Sequence, residues 1–387
     1  MSVWNYRLFS VMGIPIRVNV TLLAFLPVIV WLIGSGVSDP EGAEIWADML
    51  TSMSGHEVTA ESLNTGNTPW LLGAFAAVGL FFGITVHELG HSYVALRYEL
   101  PISSITLWIF GGMAQMEENP DDWRQEFWIA IAGPVTSVFV ALGFYLLLSV
   151  VPAVPEVIFV VGWLAVMNVV LAVFNLIPAF PMDGGRVLRA LLARNQPYAR
   201  ATATAANVAK VLAILMGVVG VLANPILVLI ALFVYVAATS ETRMTAISEA
   251  LDGVSVRDLM TSDVDVVSPE TSLEDLAERM MFERHTGYPV VDSAGDVVGI
   301  VTLSDLREVS PESRASTYVE DVMTSEVISV EPGDEAFDAL MAIGRNNVGR
   351  VVVESDGVLE GIISRTDIMH ALDVMQSGGY MPVARSA

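Results

Sequence analysis

Two histidines and a glutamate stand together in the run Val86-His87-Glu88-Leu89-Gly90-His91. Residues four apart share one face of a helix, so His87 and His91 can reach a single metal ion while Glu88 handles protons beside it. Such an ion acidifies a bound water to a pKa of about 7 and polarises a carbonyl, and a neighbouring carboxylate can carry the water's proton to a leaving amine. The blander reading is a pair of core histidines hydrogen-bonded within a helical bundle. Only five histidines exist in the chain, and two of them fall in this pattern. The surrounding stretch is strongly apolar, and ionisable groups in such a stretch mark function by default.

A hydrolytic zinc takes three protein ligands and leaves a fourth position for water. The chain has no cysteine, which excludes disulfide frameworks, thiol catalysis and thiolate-held metals and restricts ligands to His, Asp or Glu. The stretch Asn175-Leu176-Ile177-Pro178-Ala179-Phe180-Pro181-Met182-Asp183-Gly184-Gly185 supplies a candidate. Pro178 and Pro181 prevent a regular helix there, and irregular backbone at membrane depth is tolerated only where protein buries it or a cavity adjoins it. Asp183 is therefore the best third ligand, its alternative being a helix cap at a membrane exit. Asn175 could donate to a developing oxyanion or simply tie two helices together.

These residues need elements to hold them, and composition says what kind. The 387 residues are 53% hydrophobic yet carry a net charge of −24, and mean hydropathy is +0.59. From Glu241 onward there are 28 Asp and Glu against 10 Arg, a net of −18, which leaves −6 for everything before. Oil and acid thus occupy different segments. A bilayer core about 30 Å thick needs roughly 20 apolar residues per helix. Six spans are expected, over 18–37, 70–98, 127–151 and 157–180, with 203–238 divided in two near Asn224 and Pro225. Residues 39–61 hold six acids and no Lys or Arg, whereas Arg7, Arg17, Arg97, Arg124, Arg186, Arg189, Arg194 and Arg200 lie at the opposite span ends. The positive-inside rule then sets both termini in the cytoplasm and the acidic loop outside. Residues 102–116 alternate in strand fashion up to Gly111-Gly112, where a kink or a hairpin turn is expected, predicting a short sheet at the cytoplasmic membrane surface.

The pattern His87-Glu88-Leu89-Gly90-His91, with Asn175 through Gly185 on a later span, resembles the site-2 protease family of intramembrane zinc metalloproteases. Residues 13–18, Gly111-Gly112 and Ala132-Gly133-Pro134 add to the likeness, which covers roughly residues 1–240. The resemblance implies one zinc ion per chain on His87, His91 and Asp183, with Glu88 as general base and Asn175 near the site. It implies a single-pass transmembrane protein as substrate, cut near the cytoplasmic face in regulated intramembrane proteolysis. No PDZ-like insertion is present, and Ser137 stands where many members carry Asn. A helix hides its peptide bonds, so an edge of the 102–116 stretch could pair with an unwound substrate, or could merely plug the site.

The acidic half contains a repeat. Asp258-Leu259-Met260-Thr261-Ser262 returns as Asp321-Val322-Met323-Thr324-Ser325, and Gly299-Ile300-Val301-Thr302-Leu303-Ser304-Asp305 as Gly361-Ile362-Ile363-Ser364-Arg365-Thr366-Asp367. Each copy reads as strand, helix, strand, turn, strand, helix. This resembles a tandem pair of CBS domains. The likeness implies an adenine nucleotide held by Thr302, Asp305, Ser364 and Asp367, or a scaffold for a homodimer in which those residues only cap helices. Arg284 and Arg350 could balance phosphate charge.

The expected fold is an α-helical polytopic membrane domain of about six transmembrane helices with a short surface β-sheet, followed by an α/β tandem CBS pair. Boundaries are expected at 1–240 for the protease domain and 254–374 for the pair (254–310 and 317–374), with a disordered tail at 375–387. The competing reading is a CBS-gated transporter or channel with the His cluster as ion or proton site; no convincing repeat among the spans supports it. The strong negative charge argues against nucleic acid as partner. One lysine, Lys210, beside 18 arginines on an acidic surface suits a high-salt cytoplasm, so a halophilic source is an expectation.

Overall fold

The computed structural model describes residues 5–109, 111–116, 120, 122–355 and 357–376. Its contacts divide the chain into two units, Met1–Arg243 and Met244–Ala387.

The first unit opens with a hairpin, β1 (Asn5–Val11) and β2 (Ile14–Asn19), which runs straight into α1 (Val20–Ser38). Asn19 makes that transition abrupt by accepting the Thr21 amide at 2.9 Å, satisfying one of the N–H groups a helix start leaves open. Next come α2 (Pro40–Ser54), α3 (Ala60–Leu63) and α4 (Thr68–Arg97). The acidic stretch 39–61, expected as a loop, is therefore largely helical. Asp39 caps α2 through the Gly42 amide at 3.0 Å and Pro40 fills its first turn, while Ala43, Ala47 and Leu50 bury one face and Glu41, Glu44 and Asp48 stay exposed. That buried face belongs to a core with Leu72, Ile158, Phe159 and Trp163.

Strands β3 (Ile102–Trp108) and β4 (Gly111–Met116) follow, then α5 (Trp123–Leu147), α6 (Pro155–Asn175), α7 (Asp183–Ala193), α8 (Tyr198–Ala223) and α9 (Pro225–Ala250). Six of these helices, α1, α4, α5, α6, α8 and α9, are long and apolar enough to cross a membrane. The third span lies at 123–147 rather than 127–151. The fourth ends at Asn175 rather than 180, because the two prolines of the next stretch break the ladder, and Asp183 starts a helix of its own. Gly111-Gly112 follow a hairpin turn rather than a kink, and the sheet is larger than expected: its order is β1-β2-β3-β4, with β2 and β3 parallel and the other two pairs antiparallel. Phe110, read as part of the strand alternation, lies outside the described residues.

The second unit continues with α10 (Val256–Leu259), α11 (Leu273–Glu283), β5 (Gly287–Val291), β6 (Val297–Thr302), α12 (Leu303–Glu308), β7 (Ser329–Val330), α13 (Ala336–Arg345), β8 (Arg350–Ser355), β9 (Val358–Ser364) and α14 (Arg365–Gln376). The leading strand expected in the first copy shrinks to a single bridge from Val267 to Val290. The copies also exchange their leading segments. Thr261 of the first bridges Ile362 of the second, and Thr324 of the second bridges Ile300 of the first. Leu251, Val254 and Val256 accordingly complete the core around Ala336, Leu340 and Val351, whereas Val319 completes the core around Leu276, Tyr288 and Val301. Gly299 and Gly361 make the crossing possible: a Cβ there would sit 2.6 Å from Met323 Sδ and 2.9 Å from Met260 Sδ. Met375 and Gln376, expected in a disordered tail, belong to α14; residues 377–387 lie outside the described ones.

Candidate active site

His87 and His91 lie one turn apart on α4, His87 only 3% exposed. Asp183, at the first position of α7, meets both: its Oδ2 is 3.1 Å from His87 Nε2 and 3.2 Å from His91 Nε2, and the two Nε2 atoms are 3.2 Å apart. A tetrahedral site with metal–ligand bonds of about 2.0–2.1 Å separates its ligand atoms by about 3.3 Å. The three atoms thus form one face of such a tetrahedron, and this is the one buried group of its kind among the described residues.

The far side of each ring is held as a metal ligand requires. His91 Nδ1 lies 2.6 Å from the Ile129 carbonyl, which can only accept, so Nδ1 carries the proton and Nε2 is the nitrogen left to bind a metal. His87 Nδ1 lies 2.8 Å from the Ser137 hydroxyl. The sequence marked Ser137 only as a departure from the family's Asn and not as a partner of His87, because the contact joins α4 to α5 across 50 residues. Space is reserved as well. A Cβ on Gly133 of α5 would come within 2.2 Å of His91 Nε2 and 2.7 Å of His87 Nε2, and one on Gly112 of β4 within 2.4 Å of Glu88 Cγ. The donor set, the tautomer and the open volume all fit a zinc-sized ion.

These groups line a cavity of about 470 Å³ together with Glu88, Asn175 and Arg186, and β4 runs along it through Gly111, Gly112, Met113, Ala114 and Met116. Glu88 is half-buried, and its carboxylate has no hydrogen-bond partner among the described residues. Asn175, the last residue of α6, donates one amide hydrogen to the Leu171 carbonyl at 3.0 Å; the other is left over. Gly184 and Gly185 let α7 start against the loop, since a Cβ on them would fall 2.3 Å from the Ile177 oxygen and 2.7 Å from the Ala179 carbonyl carbon.

The helix that begins at Asp183 is tied to its neighbours by Arg189, which was legible in the sequence only as a span-end charge. Arg189 is 6% exposed. Its Nε donates to Glu126 Oε1 of α5 at 2.7 Å and it pairs with Glu241 of α9. Its guanidinium lies over the rings of Phe180 and Tyr198, 5.1 and 4.9 Å from their centroids. Burial works against the charge, but Glu126, Tyr198 and Glu241 outweigh it and hold the pKa above the ordinary arginine value.

The candidate nucleotide residues behave differently. Thr302 donates its amide to Asp305 Oδ2 at 2.7 Å and its hydroxyl at 2.8 Å, and Ser364 does the same to Asp367 Oδ2 at 2.8 and 2.6 Å. Each pair is a capping box closed on its own helix start. Arg350 donates to the Gly287 carbonyl and the Thr286 hydroxyl at 3.0 and 2.7 Å, tying one copy to the other. Arg284 ends α11 in the left-handed region at φ 59°.

The profile of Peptidase family M50 matches residues 75–155 and 152–218, and that of the CBS domain matches 256–312 and 319–374. Zinc metalloprotease MJ0392 of Methanocaldococcus jannaschii is 33% identical over 374 residues, covering 96% of this chain and 97% of the relative. Among solved structures, the site-2 protease from the same organism is 34% identical over 62% of this chain and 95% of its own, with a TM-score of 0.42. CBSX2 in complex with AMP is 29% identical over 32% of this chain and 99% of its own, with a TM-score of 0.29.

Proposed function

This chain belongs to the site-2 protease family, the M50 peptidases, and from that premise we propose how its cavity cuts a peptide bond. It is an intramembrane zinc metalloprotease that carries a C-terminal CBS pair. His87, His91 and Asp183 hold one zinc ion per chain, a reading supported above all by the convergence of their three ligand atoms to within 3.2 Å. When bound, the ion supplies a Lewis acid and an acidified water. Glu88, without a hydrogen-bond partner among the described residues, takes the proton of the attacking water and passes it to the leaving nitrogen. The spare amide hydrogen of Asn175 serves the developing oxyanion.

The substrate is a single-pass transmembrane protein cut near the cytoplasmic face. Its scissile segment must unwind, because a helix keeps its peptide groups bonded to itself, and β4 offers a strand edge along the cavity for it to join. Arginine placement supports cytoplasmic termini. Protease and CBS regions divide between 240 and 254, and the acidic surface fits a high-salt cytoplasm. A metalloprotease relative matched along 97% of its length leaves the transporter reading without support.

The CBS pair binds an adenine nucleotide. Both capping carboxylates use Oδ2 alone, which leaves Oδ1 of Asp305 and Asp367 to accept from ribose hydroxyls. Met281 and Phe282, 82% and 87% exposed on α11, support a homodimer through this unit. Calorimetry on the full chain should register heat with ATP or AMP; none with either leaves the scaffold role.

The decisive experiment compares the wild type with Glu88→Gln on a transmembrane reporter, with zinc analysis of both. Both should hold one zinc, and the variant should lose about 10²–10⁴-fold in cleavage rate. Zinc well below one per chain in the wild type, or undiminished cleavage by the variant, refutes the mechanism.

A further inference from the structure

The N-terminal hairpin carries an apolar face that nothing in the described chain covers. In β1, Tyr6, Leu8 and Phe9 are 56%, 58% and 51% exposed, and Met12 at the turn is 49% exposed. None of them belongs to a helix long enough to span a membrane. Simple alternation would scatter these side chains over both faces, because successive residues of a strand point opposite ways. A bulge prevents this. Arg7 pairs with Arg17 and Phe9 with Ile16, so Leu8 is an extra residue in the register, and such an insertion shifts the alternation by one. Tyr6 and Phe9 then share a face with their partners Val18 and Ile16, while Arg7 and Ser10 share the other. The 2.7 Å bond from Arg7 Nη2 to the Ser10 hydroxyl joins residues three apart, as only a re-phased strand allows.

The apolar face is the one that packs. Ile14, Ile16 and Val18 are buried on it with Leu22 of α1 and with Phe81, Ile84 and Leu89 of α4. Carried one strand further, past the edge of these two spans, the same face meets whatever surrounds them, and around a membrane span that is lipid. No residue separates β2, which ends at Asn19, from α1, which begins at Val20, so the hairpin cannot leave the level of the bilayer surface. Arg7 and Arg17, on the other face, have the long stems that let a charge stand at the phosphates.

We propose that β1 is a membrane-interface blade: Tyr6, Leu8, Phe9 and Met12 enter the boundary between headgroups and acyl chains beside α1, and so anchor to the bilayer the sheet whose far strand lines the cavity. The proposal stands apart from the mechanism above and needs only that α1 spans.

The chain lacks cysteine, so single probes are straightforward. Leu8→Cys and Ser10→Cys, each labelled with bimane, are placed as full chains in phosphatidylcholine nanodiscs. The probe at 8 should lose about half its emission to shallow doxyl lipids and resist aqueous iodide, as insertion of some 5–10 Å requires, and the probe at 10 should show the reverse. Equal iodide quenching at both sites overturns the proposal. So does an oxidant-induced disulfide dimer through unlabelled Leu8→Cys, which would make the occupant a second copy. Retained zinc in each variant shows that the fold is intact.

Discussion

Asp183, Asp305 and Asp367 each stand in the first turn of a helix, and the two units use them in opposite ways. In the C-terminal unit Asp305 and Asp367 turn back on the amides of Thr302 and Ser364 and stabilise their own helices. In the membrane unit Asp183 makes no cap, and its helix start has no side-chain partner of that kind. Its carboxylate reaches across to two imidazoles from α4 instead. The residue and its place in the helix are nearly the same, so surroundings decide the use. Where water is present, a carboxylate gains most by satisfying the nearest open amides. Where water is scarce, a buried carboxylate is costly unless a charged or metal-binding partner meets it, and two prolines followed by two glycines keep the backbone irregular enough to bring Asp183 to that partner.

Exchanging the carboxylate for an amide breaks the comparison most sharply. Asp183→Asn should lower cleavage by more than about 10³-fold, because it removes one of only three protein ligands of a hydrolytic zinc. Metal analysis after dialysis should find the zinc gone. Gly133→Ala tests whether the reserved space matters as much as the ligands. With a Cβ 2.2 Å from His91 Nε2, the imidazoles must move, and outer contacts of this sort typically cost about 10–100-fold in metal affinity or activity. Gly143→Ala on the same helix, with nothing within 4 Å of the new Cβ, should leave cleavage unchanged.

Arg189→Met acts through stability. It leaves the buried Glu126 uncompensated, and breaking one side of a buried pair costs about 3–5 kcal/mol, so thermal unfolding in detergent should fall by several degrees while Lys210→Met does not move it. The smallest effect belongs to Asp305→Ala, which should cost the C-terminal unit about 1 kcal/mol, as the loss of a cap does, with cleavage within twofold of wild type. Cleavage that falls with Asp305→Ala as far as with Asp183→Asn would dissolve the contrast between the two units.

The sequence made some of this legible and concealed the rest for physical reasons. Long apolar runs announce spans, and the turn at Asn224-Pro225 was readable because proline cannot continue a ladder. His87, Glu88, His91 and Asp183 were readable because ionisable groups are rare in such runs. Helix α2 was hidden by its charge: Glu41, Glu44 and Asp48 suggested a loop, although Ala43, Ala47 and Leu50 already carried a helical stripe. Ser137 and Arg189 could not be read, since a small hydroxyl and a span-end arginine acquire their roles only through partners 50 and 63 residues away. Strand β1 escaped because the bulge at Leu8 breaks its alternation, and β2 because Pro15 stands inside it and its parallel partner β3 follows only after α1 and α4.

The crossed leading segments of the CBS copies set a timetable for synthesis. The stretch 251–256 leaves the ribosome about eighty residues before α13, against which it packs. At translation rates of 5–20 residues per second it waits on the order of 4–16 s for that partner. In that interval neither copy can close its core alone, so the unit folds late, as one cooperative body, after the membrane helices have been made. A chain that stops between the copies would leave two apolar half-cores open at once, and quality-control proteases should meet it as a single large defect rather than as a shortened but sound protein.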